Sequence, residues 1–221
     1  MDLDKCINRR RSIRKFKDKP VDPDDVLKLI DAAKKAPSAG NLQSWKFIVI
    51  KKQSTINKIA DACFQQNWIS EAPLIIVVVA NIEEIKRMYG VRGEMLYSIQ
   101  NCAFAAENLI LKAVDLGLDT TIVSAFEEGM MKRLLKIPDN FRPQIIITVG
   151  YGDEEPPRKT IHTLESVTYF ENFKGRVEDW DEAFYEWSGI MKKHVTNTLK
   201  KLRKGSLNIK NKIINKFNSN D

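Results

Sequence analysis

The chain has 221 residues, of which 43% are hydrophobic and 29% charged, a composition typical of a globular protein that buries a core. Its longest apolar run, residues 73–80, is far shorter than the ~20 residues that a membrane-spanning helix needs. The three cysteines are far apart and form no CxxC pair, which excludes a disulfide framework and a cysteine-rich zinc site. Because the first residues also lack the apolar stretch of a signal peptide, we expect a cytoplasmic protein.

The net charge of +7 is not spread evenly along the chain. Residues 191–221 carry nine Lys and Arg against one acid, whereas the rest of the chain has 27 basic and 28 acidic residues. We therefore predict a neutral domain over residues 1–190 and a basic extension over residues 191–221. A neutral domain gives no support to nucleic-acid binding by the protein as a whole, and we expect none.

The basic extension has two interpretations. Its apolar residues alternate irregularly with lysines, so it could form an amphipathic helix on an anionic membrane or on nucleic acid. It could instead be an arm that wraps the partner subunit, or a partly disordered tail. Gly205 and the asparagines after it weaken a helix, which favours the second interpretation.

The first long helix is predicted from local chemistry. Asp22 can cap its N-terminus, Pro23 suits its first turn, and apolar residues then recur at helical spacing. The helix must end near Ala36, because Pro37 and the small residues after it are typical of a turn. A short amphipathic segment at residues 3–7 comes before this helix.

Strands and helices share the rest of the chain. Short apolar runs predict buried strands, and a long segment that is apolar on most sides predicts a central helix. A helix of that kind is buried at a subunit contact as well as in a core. The mixture indicates an α+β or α/β fold. The predicted strands are residues 47–50, 74–80, 120–123 and 144–149, and the predicted helices are residues 54–64, 94–118 and 127–135.

Several common catalytic devices are missing. Neither of the two histidines, His162 and His194, lies in an HExxH motif or near clustered carboxylates, which leaves a metal site or a histidine-based triad unsupported. The segment from Val149 to Gly152 lacks the third glycine of a dinucleotide fingerprint and leads into three acids, which would repel a pyrophosphate. We therefore expect no catalytic side chain and no metal, but a bound cofactor that carries the reaction.

The strongest positive signal is the basic segment from Arg10 to Phe16. In an extended chain, Arg10, Ser12 and Arg14 share one side. Two guanidiniums and a hydroxyl suit a phosphate monoester, because they supply forked, charged donors and a neutral hydrogen bond. Taken by itself, the same run is also explained as a solvated basic segment.

Two further segments are rich in amides. In the turn of small residues around Gly40, Asn41 and Gln43 each offer a donor and an acceptor that would suit a flavin edge or ribityl hydroxyls. Gln66 and Asn67 lie before a buried strand and could line a polar wall. Alone, the first segment is better explained as an ordinary loop with a buried Trp45, and the second is equally well explained as a helix C-terminus.

Taken in order, these motifs resemble the flavin-dependent nitroreductase family. RRSIRKF is followed by APSAGNLQSW and by a Gln/Asn–Trp segment that ends in Ala-Pro before an apolar strand. The later segments IQNCAFAAENLILKAVDLG, LDTTIVSAF and IIITVGYG agree in order as well. The resemblance covers about residues 3–170 and stops before the basic extension.

The resemblance implies an α+β fold: a three-layer α/β/α sandwich with a mostly antiparallel central sheet, in a homodimer with FMN at the interface. It implies a ping-pong reaction in which NAD(P)H delivers hydride to flavin N5 and a nitroaromatic, a quinone or another flat small molecule accepts the electrons. Two alternatives stay open. One is another enzyme on this scaffold, which removes a halogen or fragments the flavin, and the other is a flavin-binding sensor or store without useful turnover.

The resemblance also implies which residues bind the cofactor. The basic segment and a later basic loop would hold the phosphate, the turn after Ala36 would approach from the other subunit, and backbone N–H groups near Ser124 would face flavin N5. The implied residues are Arg10, Arg11, Ser12, Arg14, Pro37, Ser38, Ala39, Gly40, Asn41, Gln43, Gln66, Asn67, Val123, Ser124, Ala125, Arg158 and Lys159.

Two positions depart from the family pattern. The central helix has Asn101 where an acid is expected, and the flavin-facing segment has Ser124 where a Gly or Glu is usual. We expect these departures to affect substrate access and ring electronics more than FMN binding.

Overall fold

A computed structural model describes residues 1–175 of the chain. The described residues divide into two units, Met1–Arg158 and the residues from Lys159 onward. The basic extension and the predicted boundary at residue 190 lie outside the described residues, so both stay predictions.

The first unit is built on a sheet of four antiparallel strands in the order β1-β2-β4-β3. Its second strand is buried along almost its whole length, as the unbroken apolar sequence predicts for a strand covered on both faces. All four predicted strands are present, and each is longer than predicted. They are β1 (Trp45–Ile50), β2 (Leu74–Asn81), β3 (Asp119–Val123) and β4 (Phe141–Gly150).

Helices cover both faces of this sheet. The core on one face includes Leu29 and Leu109, from the second and fifth helices, and the core on the other includes Ile59 and Met131, from the third and sixth. These layers confirm the predicted α+β sandwich. The helices are α1 (Leu3–Arg9), α2 (Pro23–Ala33), α3 (Gln53–Ala62), α4 (Ile82–Arg92), α5 (Ser98–Asp115) and α6 (Glu128–Leu135), with α7 (Leu164–Val167) in the second unit.

The predicted capping of α2 is confirmed, because the Asp22 carboxylate accepts a hydrogen bond from the backbone N–H of Asp24 at 2.8 Å. The central helix differs from its prediction at one end. A π-helical turn, Gly93–Tyr97, precedes α5, so the regular helix begins at Ser98 rather than at residue 94. The turn packs closely on α4, since a Cβ at Gly93 would lie 2.4 Å from the Ile85 carbonyl oxygen.

Among the described residues, no helix combines the length and the apolar character that crossing a membrane requires. Residues 1–175 also contain no group of three or more His, Cys, Asp or Glu side chains that could hold a metal ion. Cys6, Cys63 and Cys102 are buried free thiols.

Candidate functional site

The basic segment of the sequence becomes an extended strip, residues 10–17, along one corner of the sheet. The backbone N–H of Ile13 donates to the Thr120 carbonyl at 3.1 Å, and that of Lys17 donates to Tyr151 at 2.8 Å. The buried Thr121 hydroxyl also donates to the Ile13 carbonyl at 2.5 Å. Backbone bonds and one neighbouring hydroxyl therefore hold the strip, and they leave its own polar side chains unused.

Burial along the strip separates two apolar anchors, three positions apart, from the polar side chains. Ile13 and Phe16 are buried, at 3% and 7% exposure, and pack with Ala72. Ser12 and Arg14 are exposed, while Arg10 is half-buried. The strip thus presents its polar side chains to solvent from a rigid, buried base.

The guanidiniums of the strip are not neutralised by nearby acids. Within residues 1–175, the side chains of Arg10, Arg11 and Arg14 form no ion pair. The Arg14 guanidinium lies over the Trp68 ring, 5.6 Å from its centroid. These groups are donors of the kind that bind a phosphate, and cation–π stacking on the ring leaves the in-plane N–H groups of Arg14 available.

One acid does lie beside the strip. A Glu154 carboxylate oxygen accepts hydrogen bonds from the backbone N–H groups of Arg14, at 2.5 Å, and of Lys15, at 3.2 Å. It contacts the backbone and not the guanidiniums, so it helps to hold the strip in place. The sequence analysis treated this acid only as a charge that repels phosphate, and it missed this supporting role.

A second loop, residues 63–68, contains the predicted Gln66 and Asn67. Phe64 and Gln65 both have positive φ values, 57° and 59°, which non-glycine residues rarely adopt. The Gln66 side-chain amide donates to the Cys63 carbonyl at 3.0 Å and holds this turn. Asn67 is exposed. Through the Arg14–Trp68 contact this Gln66 loop lies beside the strip.

The end of β3 comes to the same corner. The backbone N–H of Glu127 donates to the Ala62 carbonyl at 2.8 Å, which ties the chain just after Ala125 to the start of the Gln66 loop. Val123 is buried, whereas Ser124 and Ala125 are exposed. The backbone N–H groups of Ser124 and Ala125 form no hydrogen bond with the described residues. They remain available as donors to a ligand.

The turn after Ala36 forms a loop, residues 37–44, with three positive φ values, at Gly40 (59°), Asn41 (54°) and Gln43 (49°). The backbone N–H of Gln43 donates to the Ser38 hydroxyl at 3.0 Å. The side-chain amide of Gln43 donates to the Asn41 carbonyl at 3.2 Å. Part of the predicted amide set thus shapes the loop itself.

This Gly40 loop lies far from the other predicted residues of its own chain. It leads into Trp45, which pairs with Ala80 at one end of β2, while the strip follows Thr120, level with Leu74 at the other end. The two ends are roughly 20 Å apart along β2, and β1 and β3 are opposite edges of the sheet. One chain therefore brings together the strip, the Gln66 loop and residues 123–125, but not the Gly40 loop.

The predicted basic loop falls at the boundary between the two units. Arg158 is an exposed residue at the end of the first unit, and Lys159 begins the second. The prediction that one of them contacts the phosphate stays a prediction.

Comparisons with known proteins point to one family. The sequence model of the nitroreductase family matches residues 7–74 and 65–151. The chain is 34% identical over 155 residues to a protein of Archaeoglobus fulgidus with the provisional name NADH dehydrogenase/NAD(P)H nitroreductase, a match that covers 68% of this chain and 86% of the relative. It is 22% identical over 205 residues to the FMN reductase [NAD(P)H] of Bacillus subtilis, covering 83% and 81%. A solved structure of an FMN-dependent nitroreductase from Clostridium difficile superposes with a TM-score of 0.66 at 27% identity, covering 76% of this chain and 98% of that one.

Proposed function

Because the chain belongs to the nitroreductase family, we propose that it is an FMN-dependent oxidoreductase that takes electrons from NAD(P)H. Its acceptors are nitroaromatics, quinones or similar flat molecules. The names of its relatives, NAD(P)H nitroreductase and FMN reductase [NAD(P)H], support both the electron donor and the cofactor.

The observation that carries this proposal is the strip. Arg10, Ser12 and Arg14 offer two guanidiniums and a hydroxyl on a rigid base, with no ion pair to any described residue. A phosphate monoester is a compact dianion, and forked guanidinium donors bind it more strongly than neutral groups do. The donor set therefore fits the phosphate of FMN.

The same corner suits the flavin ring. The chemistry that bound FMN supplies is uptake of hydride from NAD(P)H and delivery of electrons to a second molecule from the same face, in a ping-pong cycle. The backbone N–H groups of Ser124 and Ala125, which form no hydrogen bond with the described residues, would donate to the ring near N5 and stabilise negative charge on it. Gln66 and Asn67 would contact the ring or ribityl chain through their amides. These residues bind and orient, and we assign none of them a proton transfer.

The position of the Gly40 loop supports a homodimer. Because this loop lies at the opposite corner of its own sheet, it can reach a flavin only across a subunit interface. Exposed apolar side chains on α4, the π-helical turn and α5 provide a surface for such an interface, since patches of this kind mark contact sites. These side chains are Met88, Val91, Met95, Ile99 and Phe104, which are 46–70% exposed.

A cytoplasmic location is part of the same proposal. All three cysteines are free thiols within the described residues, as is usual in a reducing compartment.

The proposal is tested by an absorbance spectrum of the purified, FMN-loaded protein before and after NADH or NADPH is added. We expect flavin absorbance that one or both nicotinamides bleach and that a nitroaromatic or quinone restores. Gel filtration of the same sample should give a dimer. Protein that takes up no FMN would refute the proposal, whereas bound FMN that no nicotinamide reduces would favour the sensor or store.

A further inference from the structure

The Gly40 loop has a conformation that its own sequence does not favour. Gly40, Asn41 and Gln43 all lie in the left-handed region, and only the first is a glycine. Each non-glycine residue in that region costs free energy and persists only where surrounding contacts enforce it. The contacts that hold this loop therefore decide whether it keeps one shape.

The buried side chain of Asn101 on α5 holds both ends of the loop. Its Oδ1 atom accepts a hydrogen bond from the backbone N–H of Ala39 at 3.0 Å, and its Nδ2 atom donates to the Ser44 hydroxyl at 3.2 Å. Asn101 and Ser44 are each only 1% exposed. Since Asn101 is buried, losing either bond would leave a polar atom of its side chain unpaired in the core.

The chemistry of an uncharged amide suits this position. The loop presents one N–H donor and one hydroxyl to a fully buried side chain, and an amide can serve both without bringing a charge into the core. An apolar residue of similar size would serve neither. Asn101, whose departure from an acid the sequence analysis connected with substrate access and ring electronics, is thus also placed to support this loop.

Neighbouring contacts seat the loop on the same surface. A Cβ at Gly40 would lie 2.4 Å from the Tyr89 hydroxyl of α4, so the loop backbone packs directly on that side chain. The backbone N–H of Asn81 donates to the Ser44 carbonyl at 2.6 Å. The inner side of the loop is therefore fixed, and the exposed Asn41 and Gln43 are on its outer side.

We propose that Asn101 is a positioning residue for the cofactor, which acts by holding the Gly40 loop in the shape that contacts FMN. This inference rests on the proposed function, in which the loop reaches the flavin of the partner subunit. Asn101 is only 1% exposed, so in this role it acts through the loop and not by contacting the cofactor. Its effect reaches the flavin across the subunit interface. A loop with many conformations would have to be ordered each time FMN binds, and the free-energy cost of that ordering would weaken binding.

The test compares three variants of the FMN-loaded protein. Asn101→Leu removes both bonds at similar volume, Asn101→Asp keeps an acceptor for Ala39 while the Ser44 hydroxyl can turn to donate, and Asn108→Leu is the matched control. Asn108 is also on α5, where its side-chain amide donates to the Ala32 carbonyl at 3.3 Å, away from the loop. The measurements are the FMN dissociation rate, followed by flavin fluorescence, and hydrogen exchange of residues 38–44.

We expect Asn101→Leu to release FMN roughly tenfold faster and to exchange the amides of residues 38–44 faster, because two net hydrogen bonds are lost. Asn101→Asp should restore part of both properties, because it keeps both bonds but brings a carboxylate into the core. Asn108→Leu should change neither, although it also removes a hydrogen bond from α5. If Asn101→Leu does not fold, Ser44→Ala removes only the second bond and should show a smaller effect in the same direction.

The outcomes separate this inference from the proposed function. Wild-type protein that binds no FMN would overturn both. Wild-type protein that binds FMN, together with an Asn101→Leu variant that exchanges faster at residues 38–44 but releases FMN at the wild-type rate, would overturn only the positioning role. Equal release rates for Asn101→Leu and Asn108→Leu, both raised, would also overturn it, since general loosening of α5 would then explain the effect.

Discussion

The strip at residues 10–17 and the Gly40 loop at residues 37–44 are both polar segments, yet the fold makes different use of their own side chains in holding them. The strip is held by its backbone, through bonds such as that from Ile13 to Thr120, and by the buried Phe16. The loop has backbone bonds too, such as that from Asn81 to Ser44, but it also depends on polar side chains, above all on Asn101.

Because of this difference, ligand binding and fold stability should depend on different side chains of the strip. Side chains of the strip can change without moving it, because backbone bonds do not depend on them. In the Gly40 loop, polar side chains contribute to the support. Replacing one of them should therefore alter the conformation of the loop as well as any contact that the loop makes with a ligand. In the strip, replacing an apolar side chain should therefore destabilise the fold, whereas replacing an arginine should weaken ligand binding and leave the fold stable.

The largest expected effect is that of Phe16→Ala. Phe16 is 7% exposed and packs tightly enough that a Cβ at Gly150 would lie 2.8 Å from its ring. Its removal should lower the free energy of unfolding by about 3–5 kcal/mol in a urea titration. The control is Phe64→Ala, at a side chain 67% exposed, which should change stability by less than about 0.5 kcal/mol. Equal effects would show that the strip is not anchored by its apolar side.

The next effect concerns ligand affinity. The double variant Arg10→Ala, Arg14→Ala should weaken FMN binding roughly 100-fold, because two charge-assisted hydrogen bonds to the phosphate are lost. Its free energy of unfolding should stay within about 1 kcal/mol of the wild type. Equilibrium titration of apoprotein with FMN measures the first quantity and urea unfolding the second.

A matched pair of cations controls for charge alone. Lys15 and Lys17 belong to the same strip and are exposed, so Lys15→Ala, Lys17→Ala removes the same charge. We expect less than about a fivefold change in FMN affinity, since long-range attraction is screened by salt. If both double variants weaken FMN equally, the phosphate does not bind at Arg10 and Arg14.

The smallest effect is expected in thiol labelling of the buried cysteines, which reports whether the core beneath these regions opens. Cys63 and Cys102 are 0% exposed, and burial raises the pKa of each thiol to about 12. The raised pKa keeps both thiols neutral between about pH 7 and pH 9, so the reactive thiolate is absent from the folded protein. Iodoacetamide followed by mass spectrometry should find both unmodified in that range and modified in denaturant. Labelling of the native protein near pH 8 would show that the core opens.

Local patterns predicted most of the elements. The cap at Asp22 and the apolar runs of β2 and β4 were identified because spacing and capping act over a few residues. Helix α4 was not predicted, because it carries few regularly spaced apolar residues. Its last turn is also interrupted by Gly90, which has a positive φ of 58°. The same irregularity explains why the π-helical turn before α5 was read as regular helix.

The candidate site was predictable in part. The strip and the residues around Gln66 and Ser124 stand out by residue type, which the sequence displays directly. The bond from Glu154 to the strip joins residues that are 140 positions apart, and no local pattern signals it. The sequence marked Asn101 only as an unusual residue in an apolar helix.

By itself, the sequence determined the family, the order of strands and helices, and the residue types available for a phosphate and a flavin, because these depend on short-range spacing and on side-chain chemistry. Only the tertiary structure decided which of those residues meet. It brought the strip, the Gln66 loop and residues 123–125 to one corner of the sheet and left the Gly40 loop at the opposite corner. It also joined Asn101 to Ala39 across 62 positions, a contact that exists only because α5 packs on the sheet beside the Gly40 loop.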